Sequence, residues 1–120
     1  MSDDPRLGGI VRLYGAQQTN NLANSHVAVV GIGGVGSWTA EALARSGVGT
    51  ITLIDLDDIC VTNTNRQIHA LSNTIGEAKV DAIAARIKLI NPACKVHCIE
   101  DFVTPENTAA LLTKEMHAVV

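Results

Sequence analysis

The sequence predicts an α/β fold with a doubly wound, mainly parallel sheet. Short runs of β-branched residues alternate with helical patterns along the chain, which is typical of parallel strands joined by crossover helices. A glycine-rich turn follows the first of these runs. Hydrophobic residues make up 47% of the 120 residues, so the chain can bury the apolar core that such a sheet requires. At this length we expect one domain-sized unit.

The sequence divides near residue 24 into a helical segment and the domain that contains the predicted strands. Residues 1–24 are expected to form an N-terminal helical segment, and residues 25–120 the α/β domain. An apolar β-branched run predicts a buried first strand at residues 26–30. Further strands are predicted at residues 50–55 and 95–99, and a fourth from residue 117. A parallel strand is an unusual place for a domain to finish, so we expect the sheet to be truncated in this fourth strand. The chain is then expected to be the front part of a longer protein.

Three helices are predicted between the strands. The first covers residues 35–46, and its apolar face consists of Val35, Trp38, Ala42 and Leu43. The second is expected to open with a capping box, since Thr74 and Glu77 have the T-x-x-E spacing. Its apolar face consists of Val80, Ile83, Ala84, Ile87 and Ile90. The third is predicted over residues 104–114, with Thr104 as N-cap and Pro105 in the first turn.

Composition and charge disfavour several classes of protein. Aromatic residues are only 2% of the chain and the formal net charge is −3, so neither a base-stacking platform nor a general basic surface for nucleic acid is indicated. The three cysteines form no paired C-x-x-C motif, and the polar N-terminus does not fit a signal peptide. No apolar run approaches the roughly 18 residues of a membrane helix. These observations favour a cytoplasmic protein that does not enter a membrane.

The turn after the first strand has the spacing of a phosphate-binding glycine loop in a Rossmann-like fold. Gly31 permits a sharp turn, Gly33 and Gly34 let backbone N–H groups approach a phosphate, and Gly36 lets the next helix pack closely on the strand. Asp55 ends the second strand about 20 residues further on, where a carboxylate accepts hydrogen bonds from a ribose. The pattern indicates a nucleotide site, but by itself it does not separate ATP from a dinucleotide such as NAD.

The polar segment after the second strand favours ATP over a cofactor for hydride transfer. Arg66 and Lys79 can neutralise the charge that builds up as pyrophosphate leaves, while Asn63 and Gln67 can hold the chain in place. Lys79 is expected in the first turn of its helix, where free N–H groups also favour an anion. Asp57 is a candidate for the same site, or it serves only to shape the turn.

These motifs together resemble those of the adenylating enzymes that activate ubiquitin and of their bacterial relatives in thiamine and molybdopterin synthesis. The resemblance covers nearly the whole chain and rests on Gly31, Gly33, Gly34, Gly36, Asp55, Asp57, Asn63, Asn65, Arg66, Gln67, Gly76 and Lys79. It implies that Asp55 contacts the ribose of ATP, and that Asn63, Arg66 and Lys79 contact its phosphates.

Further stretches are similar to one branch of this family, which uses ATP to dehydrate, and so cyclise, a threonylcarbamoyl-modified adenosine in tRNA. These stretches are residues 6–15, Trp38, residues 60–71 and residues 101–105. The resemblance implies that a substrate carboxylate attacks the α-phosphate of ATP, giving an acyl adenylate and pyrophosphate. An internal nucleophile of the threonylcarbamoyl group then displaces AMP and closes the ring. It also implies tRNA as a partner, bound through regions that we expect to lie largely outside this chain, which agrees with the absence of a basic surface here.

The resemblance further implies a homodimer in which an N-terminal arginine reaches the ATP of the other subunit. Arg12 is the better match, and Arg6 is the other candidate. The family holds Mg²⁺ with an aspartate that follows the fourth strand. No residue of this chain matches that aspartate, so we assign no metal ligand here and expect adenylation to be impaired if the 120 residues act alone.

Two alternatives remain open. One is an activating enzyme for a ubiquitin-like or sulfur-carrier protein, which would share every residue assigned to ATP and would have a sulfur-transfer protein as a partner. The other is an NAD-binding oxidoreductase domain, which would share the glycine loop and Asp55.

Overall fold

The computed structural model describes residues 4–120 and contains an open sheet of four parallel strands in the order β3-β2-β1-β4. This confirms the predicted α/β class with a parallel, Rossmann-like sheet. The strands are β1 (His26–Val30), β2 (Thr50–Ile54), β3 (Lys95–Ile99) and β4 (Ala118–Val119). Residues 1–3 of the expected N-terminal segment lie outside the described residues.

Five α-helices and two short 3-10 helices complete the described chain, residues 4–120. The α-helices are α1 (Gly8–Tyr14), α2 (Ala16–Ala23), α3 (Gly36–Arg45), α4 (Lys79–Ile90) and α5 (Thr108–Leu111). The 3-10 helices are Pro5–Leu7 and Val61–Asn65. The helical character predicted before residue 24 is present in α1 and α2, while the proposed domain boundary there stays a prediction. Across the part of the chain that the structure describes, no helix is long and apolar enough to span a membrane.

The register of the sheet places the two central strands level with each other. His26 lies opposite Thr50 and Val30 opposite Ile54, so β1 and β2 end side by side. The Gly31 N–H donates to the Ile54 carbonyl at 2.8 Å just beyond these ends. The glycine loop after β1 therefore meets the acidic segment after β2 at one edge of the sheet.

One face of the sheet carries the main hydrophobic core. Val27 and Val29 of β1 and Ile51 and Leu53 of β2 point to this face and are buried. Helix α4 covers them with the apolar face predicted from its periodicity, as its three fully buried members are Val80, Ile83 and Ile87. The core of this face therefore consists mainly of aliphatic side chains.

Helix α3 turns a different face to the core than its apolar residues suggest. Val35 and Trp38 are 79% and 53% exposed, and the buried positions of the helix are Ser37, Ala40, Glu41 and Ala44. Small side chains allow α3 to approach the sheet closely, while buried Glu41 is paired with Arg86 of α4 at 2.7 Å. The predicted apolar face of this helix is therefore wrong for Val35, Trp38 and Ala42, whereas Leu43 is partly buried and packs against the core.

The predicted capping box before α4 is also wrong. The helix begins at Lys79 with Ala78 as N-cap, which is too far from Thr74 for that side chain to cap it. The Thr74 hydroxyl instead donates to the His69 carbonyl at 2.5 Å and accepts from the Leu71 N–H at 2.9 Å. These bonds stabilise a turn within the polar segment that precedes the helix.

The helix predicted over residues 104–114 shortens to the single turn of α5. The Asn107 side chain accepts from the Thr104 N–H at 2.7 Å and donates to the Phe102 carbonyl at 2.8 Å. The Asn107 N–H in turn donates to the Thr104 hydroxyl at 3.3 Å, and the Thr108 N–H donates to the Thr104 carbonyl at 3.0 Å. Thr104 therefore caps the turn that precedes α5, as predicted, but the regular α-helix covers only Thr108–Leu111.

Candidate nucleotide-binding site

Two glycines of the loop have the structural roles that their positions predict. Gly31 has a φ of +87°, the left-handed region that side chains rarely adopt. A Cβ on Gly36 would lie 1.7 Å from the Gly31 carbonyl oxygen, so only glycine lets the first turn of α3 rest on the loop. The N-terminus of α3 therefore lies directly against the glycine loop.

Three successive backbone N–H groups face no acceptor in the described chain. The amides of Gly33, Gly34 and Val35 donate no hydrogen bond within residues 4–120. They lie at the N-terminus of the ten-residue helix α3, where unpaired N–H groups and the helix dipole favour an anion. This arrangement fits the phosphate-binding role predicted for Gly33 and Gly34.

Asp55 joins the acidic segment to the glycine loop. Its Oδ2 accepts from the Ile32 N–H at 2.7 Å, and its Oδ1 accepts from the Asp57 N–H at 2.8 Å. The side chain is buried, and each carboxylate oxygen keeps a further lone pair for a ribose hydroxyl. The sequence predicted only the ribose contact of Asp55. Its bond to Ile32 joins residues that are distant along the chain, so local motif spacing cannot predict it.

The polar segment after β2 folds back onto the start of α4. The Ile59 N–H donates to the Glu77 carbonyl at 2.8 Å, and the Lys79 N–H donates to the Asp57 carbonyl at 3.1 Å. Asn63 is buried, and its Oδ1 accepts from the Cys60 N–H at 2.8 Å. In this structure the Asn63 side chain holds its own loop, and its predicted contact with a phosphate stays a prediction.

Residues 66–69 form a covering segment that lies over the glycine loop and the start of α3. The Trp38 Nε1–H donates to the Arg66 carbonyl at 2.9 Å, and the Ile68 N–H donates to the Ser37 hydroxyl at 3.4 Å. Trp38 is thus used on the solvent side of α3, as an anchor for the covering segment. This contact explains why a large aromatic residue remains half exposed.

Arg66 and Gln67 of the covering segment flank the open amides. A Cβ on Gly34 would lie 3.5 Å from Arg66 Cγ, and one on Gly33 would lie 3.8 Å from Gln67 Nε2. The exposed Arg66 guanidinium donates to the Asn65 side chain at 2.9 Å. Gln67 is buried, and its Oε1 has no donor within the described residues. Two of the predicted phosphate-site residues are therefore brought to the glycine loop.

Lys79 is a buried cation at the first position of α4. The residue is 7% exposed, and its ammonium makes no hydrogen bond or ion pair with residues 4–120. It lies near His69, whose pKa is lowered mainly by burial and also by the charge of Lys79. An uncompensated cation in this position favours an anionic ligand.

A cavity of about 360 Å³ opens beside the glycine loop at the carboxyl ends of β1, β2 and β3. Its lining residues are Val30, Gly31, Ile54, Asp55, Asp57, Asp101, Phe102 and Val103. The lining combines apolar walls with carboxylates, and its size and position suit a nucleoside next to the phosphate site. Asp57 therefore lies at the candidate site, as one of the residues that line this cavity.

Arg12 is not brought to this site within the chain. It lies exposed on α1, which packs against α2 and the preceding 3-10 helix. Arg6 is likewise exposed and is paired with Asp4 at 3.3 Å. Among the described residues no group of three or more His, Cys, Asp or Glu side chains could hold a metal ion. The expectation that this chain supplies no metal ligand stays a prediction, and we assign Mg²⁺ no step.

The parallel sheet, the glycine loop and the open amides at the start of α3 define a Rossmann-like domain of the nucleotide-binding type. Comparison with known families makes the assignment specific: the chain belongs to the ThiF family, whose model matches residues 7–120.

The chain is also similar to individual members of this family. It is 59% identical over 108 residues to the Escherichia coli tRNA threonylcarbamoyladenosine dehydratase, covering 90% of this chain and 40% of that protein. It is 53% identical over 117 residues to the Haemophilus influenzae dehydratase, covering 98% of this chain and 45% of that protein. The crystal structure of the E. coli enzyme TcdA in complex with ATP superposes with a TM-score of 0.94 at 57% identity, covering 95% of this chain and 47% of that chain. The chain therefore spans less than half the length of these relatives.

Proposed function

We propose that the protein carrying this chain is an ATP-dependent tRNA threonylcarbamoyladenosine dehydratase, and that residues 25–120 form its ATP-binding domain. The observation that supports this most directly is the placement of Arg66 beside Gly34 and of Gln67 beside Gly33 in the glycine loop. The buried cation of Lys79 lies near His69, whose ring contacts the Ile32 carbonyl of the same loop. The identity to dehydratases, one of them solved with ATP, favours this function over a carrier-protein activating enzyme or an NAD-dependent oxidoreductase.

In this proposal each part of ATP meets a matching part of the chain. The amides of Gly33 and Gly34 bind phosphate oxygens, and the cations of Arg66 and Lys79 neutralise their charge. The ribose hydroxyls donate to the free lone pairs of Asp55. The adenine occupies the cavity of about 360 Å³, whose walls are largely apolar.

The proposed chemistry uses this binding to activate a carboxylate. The threonyl carboxylate of the modified adenosine attacks the α-phosphate, the bond to the β-phosphate breaks, and pyrophosphate leaves with its electrons. An internal nucleophile of the threonylcarbamoyl group then attacks the activated carbonyl, AMP leaves, and the net result is loss of water. Arg66 and Lys79 stabilise the charge that develops on the departing pyrophosphate.

The proposal includes partners that would lie outside this chain. We propose tRNA as the substrate and a homodimer in which the exposed Arg12 reaches the nucleotide of the other subunit. We also propose Mg²⁺ as the cation that accompanies ATP, and we assign it no ligand among the described residues. A sulfur-transfer partner stays a prediction. We propose a cytoplasmic location, which suits the three free thiols of Cys60, Cys94 and Cys98.

The proposal is tested by two measurements on the complete polypeptide that carries these residues. Calorimetric titration is expected to detect binding of ATP but not of NAD. Pyrophosphate release is expected with tRNA bearing threonylcarbamoyladenosine and not with the same tRNA lacking the modification. NAD binding without ATP binding, or pyrophosphate release that depends on an added carrier protein instead of tRNA, would reject the proposal.

A matched pair of lysine variants links the activity to the site. Lys79→Met removes the buried cation near His69, and we expect ATP affinity to fall by about tenfold or more. Lys114→Met removes an exposed lysine outside the site and serves as the control. Equal ATP affinity in the two variants would remove Lys79 from the proposed site.

A further inference from the structure

Ile32, in the middle of the glycine loop, is held through both of its backbone groups. Its N–H donates to Asp55 Oδ2 at 2.7 Å, and its carbonyl lies 2.8 Å from His69 Nε2. The Ile32 side chain itself is fully buried. Asp55 thus holds the loop from the sheet, and His69 holds it from the covering segment.

We propose that His69 is a positioning residue of the nucleotide site, which holds the Ile32 carbonyl through its Nε2–H and thereby directs the Gly33 N–H toward a bound phosphate. This inference rests on the proposed function for the identity of the ligand. His69 does not touch the nucleotide in this proposal, and it acts through the peptide group that joins Ile32 to Gly33.

The direction of the Gly33 N–H follows from peptide geometry. No cis peptide bond occurs in the described chain. In a trans peptide the carbonyl and the N–H point to opposite sides. A bond that pulls the Ile32 carbonyl toward His69 therefore turns the Gly33 N–H away from His69, and this N–H donates to no group within residues 4–120.

The bond also defines the chemical state of the histidine. A carbonyl only accepts hydrogen bonds, so Nε2 carries the proton, and the buried Nδ1 has no donor within the described residues. The charged groups that face the ring are Lys79 and Arg86 of α4 and Asp55 at the end of β2. Burial lowers the pKa of His69, the bond to the Ile32 carbonyl and the charge of Asp55 raise it, and the two cations lower it. The net effect lowers this pKa, so the ring is neutral near pH 7.

Two substitutions separate hydrogen bonding from packing. His69→Phe keeps a planar ring of similar size but removes the donor. His69→Gln keeps an N–H donor at a comparable distance from the backbone. We expect His69→Phe to weaken ATP binding about tenfold, which corresponds to the loss of one good hydrogen bond, and His69→Gln to stay within about twofold of the unmodified protein.

The experiment combines calorimetry with ¹⁵N NMR of the complete polypeptide. The NMR spectrum of the nucleotide-free, unmodified protein is expected to show His69 protonated on Nε2 and unprotonated on Nδ1. The Ile32 and Gly33 amide signals are expected to shift in His69→Phe and to return toward their original positions in His69→Gln.

Each result supports or overturns the inference. Equal losses of ATP affinity in the two variants, or full affinity in His69→Phe, would overturn it, and so would a proton on Nδ1 in the unmodified protein. The tautomer measurement needs neither a variant nor ATP, and the comparison of amide signals needs the two variants but no ATP. An unmodified protein that binds no ATP would refute the proposed function, while the tautomer and amide signals would still decide whether His69 positions the loop.

Discussion

The Asp55 carboxylate accepts a hydrogen bond from the Ile32 amide at 2.7 Å, across the neighbouring ends of β2 and β1. A residue expected to bind ribose therefore also shapes the loop expected to bind phosphate. Its second oxygen accepts from the Asp57 N–H, so the same carboxylate holds the first turn of the polar segment. Loss of this one group should affect both halves of the nucleotide site.

Replacement of Asp55 by asparagine should therefore lower stability as well as ATP affinity. A carboxamide has one oxygen and one NH₂ group, so either the Ile32 or the Asp57 N–H would face a donor instead of an acceptor. We expect the free energy of unfolding to fall by about 1–3 kcal/mol. Chemical denaturation of Asp55→Asn measures this change, with exposed Asp58→Asn as the control. An unchanged unfolding midpoint and unchanged ATP affinity would refute both roles.

Two alanine substitutions should separate the structural and binding glycines of the loop. A Cβ on Gly36 meets the Gly31 carbonyl oxygen at 1.7 Å, so Gly36→Ala should lose about 3 kcal/mol of stability or more. A Cβ on Gly34 has its nearest neighbour at 3.5 Å, so Gly34→Ala should fold normally and yet obstruct a phosphate at the open amides. Thermal unfolding and ATP titration of both proteins make the comparison. Similar unfolding temperatures for the two variants would contradict the assigned packing role of Gly36.

Arg66 should affect the chemical step more than the binding of ATP. Its guanidinium is exposed and bonded only within its own loop, whereas the charge it can stabilise grows as pyrophosphate leaves. We expect Arg66→Ala to slow pyrophosphate release by about a hundredfold and to weaken ATP binding much less. The bond from Trp38 goes to the Arg66 backbone, so the covering segment should remain docked. Equal losses in rate and affinity would argue against charge stabilisation in the transition state.

The stability of the protein should fall as the pH is lowered from 7 toward 5. Burial lowers the pKa of His69 and of His26, and the neighbouring rings of His97 and His117 lower the pKa of His26 further. The unfolded chain then takes up protons near pH 6.5, before the folded protein does. The stabilisation is present above this pH and is lost as the pH falls through the folded-state pKa values.

Thermal unfolding between pH 7.5 and about 5 measures this dependence, and the variants His26→Gln and His69→Gln should each flatten it. A melting temperature that rises on acidification would contradict the sign of the effect. An identical pH dependence in both variants and in the unmodified protein would assign the effect to other groups.

Much of the fold could be predicted because it depends on short-range patterns. The β-branched runs predicted β1 and β3 with their observed bounds, and the spacing of Val80, Ile83 and Ile87 predicted the buried face of α4. The prediction for α3 failed because the close approach of the helix to the sheet selects small residues for burial. Trp38 lies on the exposed side of the helix, where its indole N–H donates to the carbonyl of Arg66, a residue far along the chain.

The candidate site also combines features that the sequence predicted with a contact that it could not predict. The spacing of its glycines and Asp55 indicated a nucleotide, and the types of Arg66 and Lys79 indicated phosphate. The bond between His69 and Ile32 had no signal in the sequence, since a histidine in a polar segment is compatible with a packing, binding or surface position.

Amino-acid order thus specifies the parallel sheet, the glycine turn and the chemical character of the site, because periodicity and local spacing act over a few residues. Folding decides which backbone groups of the loop are held and which amides stay open. Asp55 and His69 reach Ile32 only once β2 lies beside β1 and the covering segment lies over α3. Such contacts depend on the relative placement of distant segments, which is determined by packing of the whole chain.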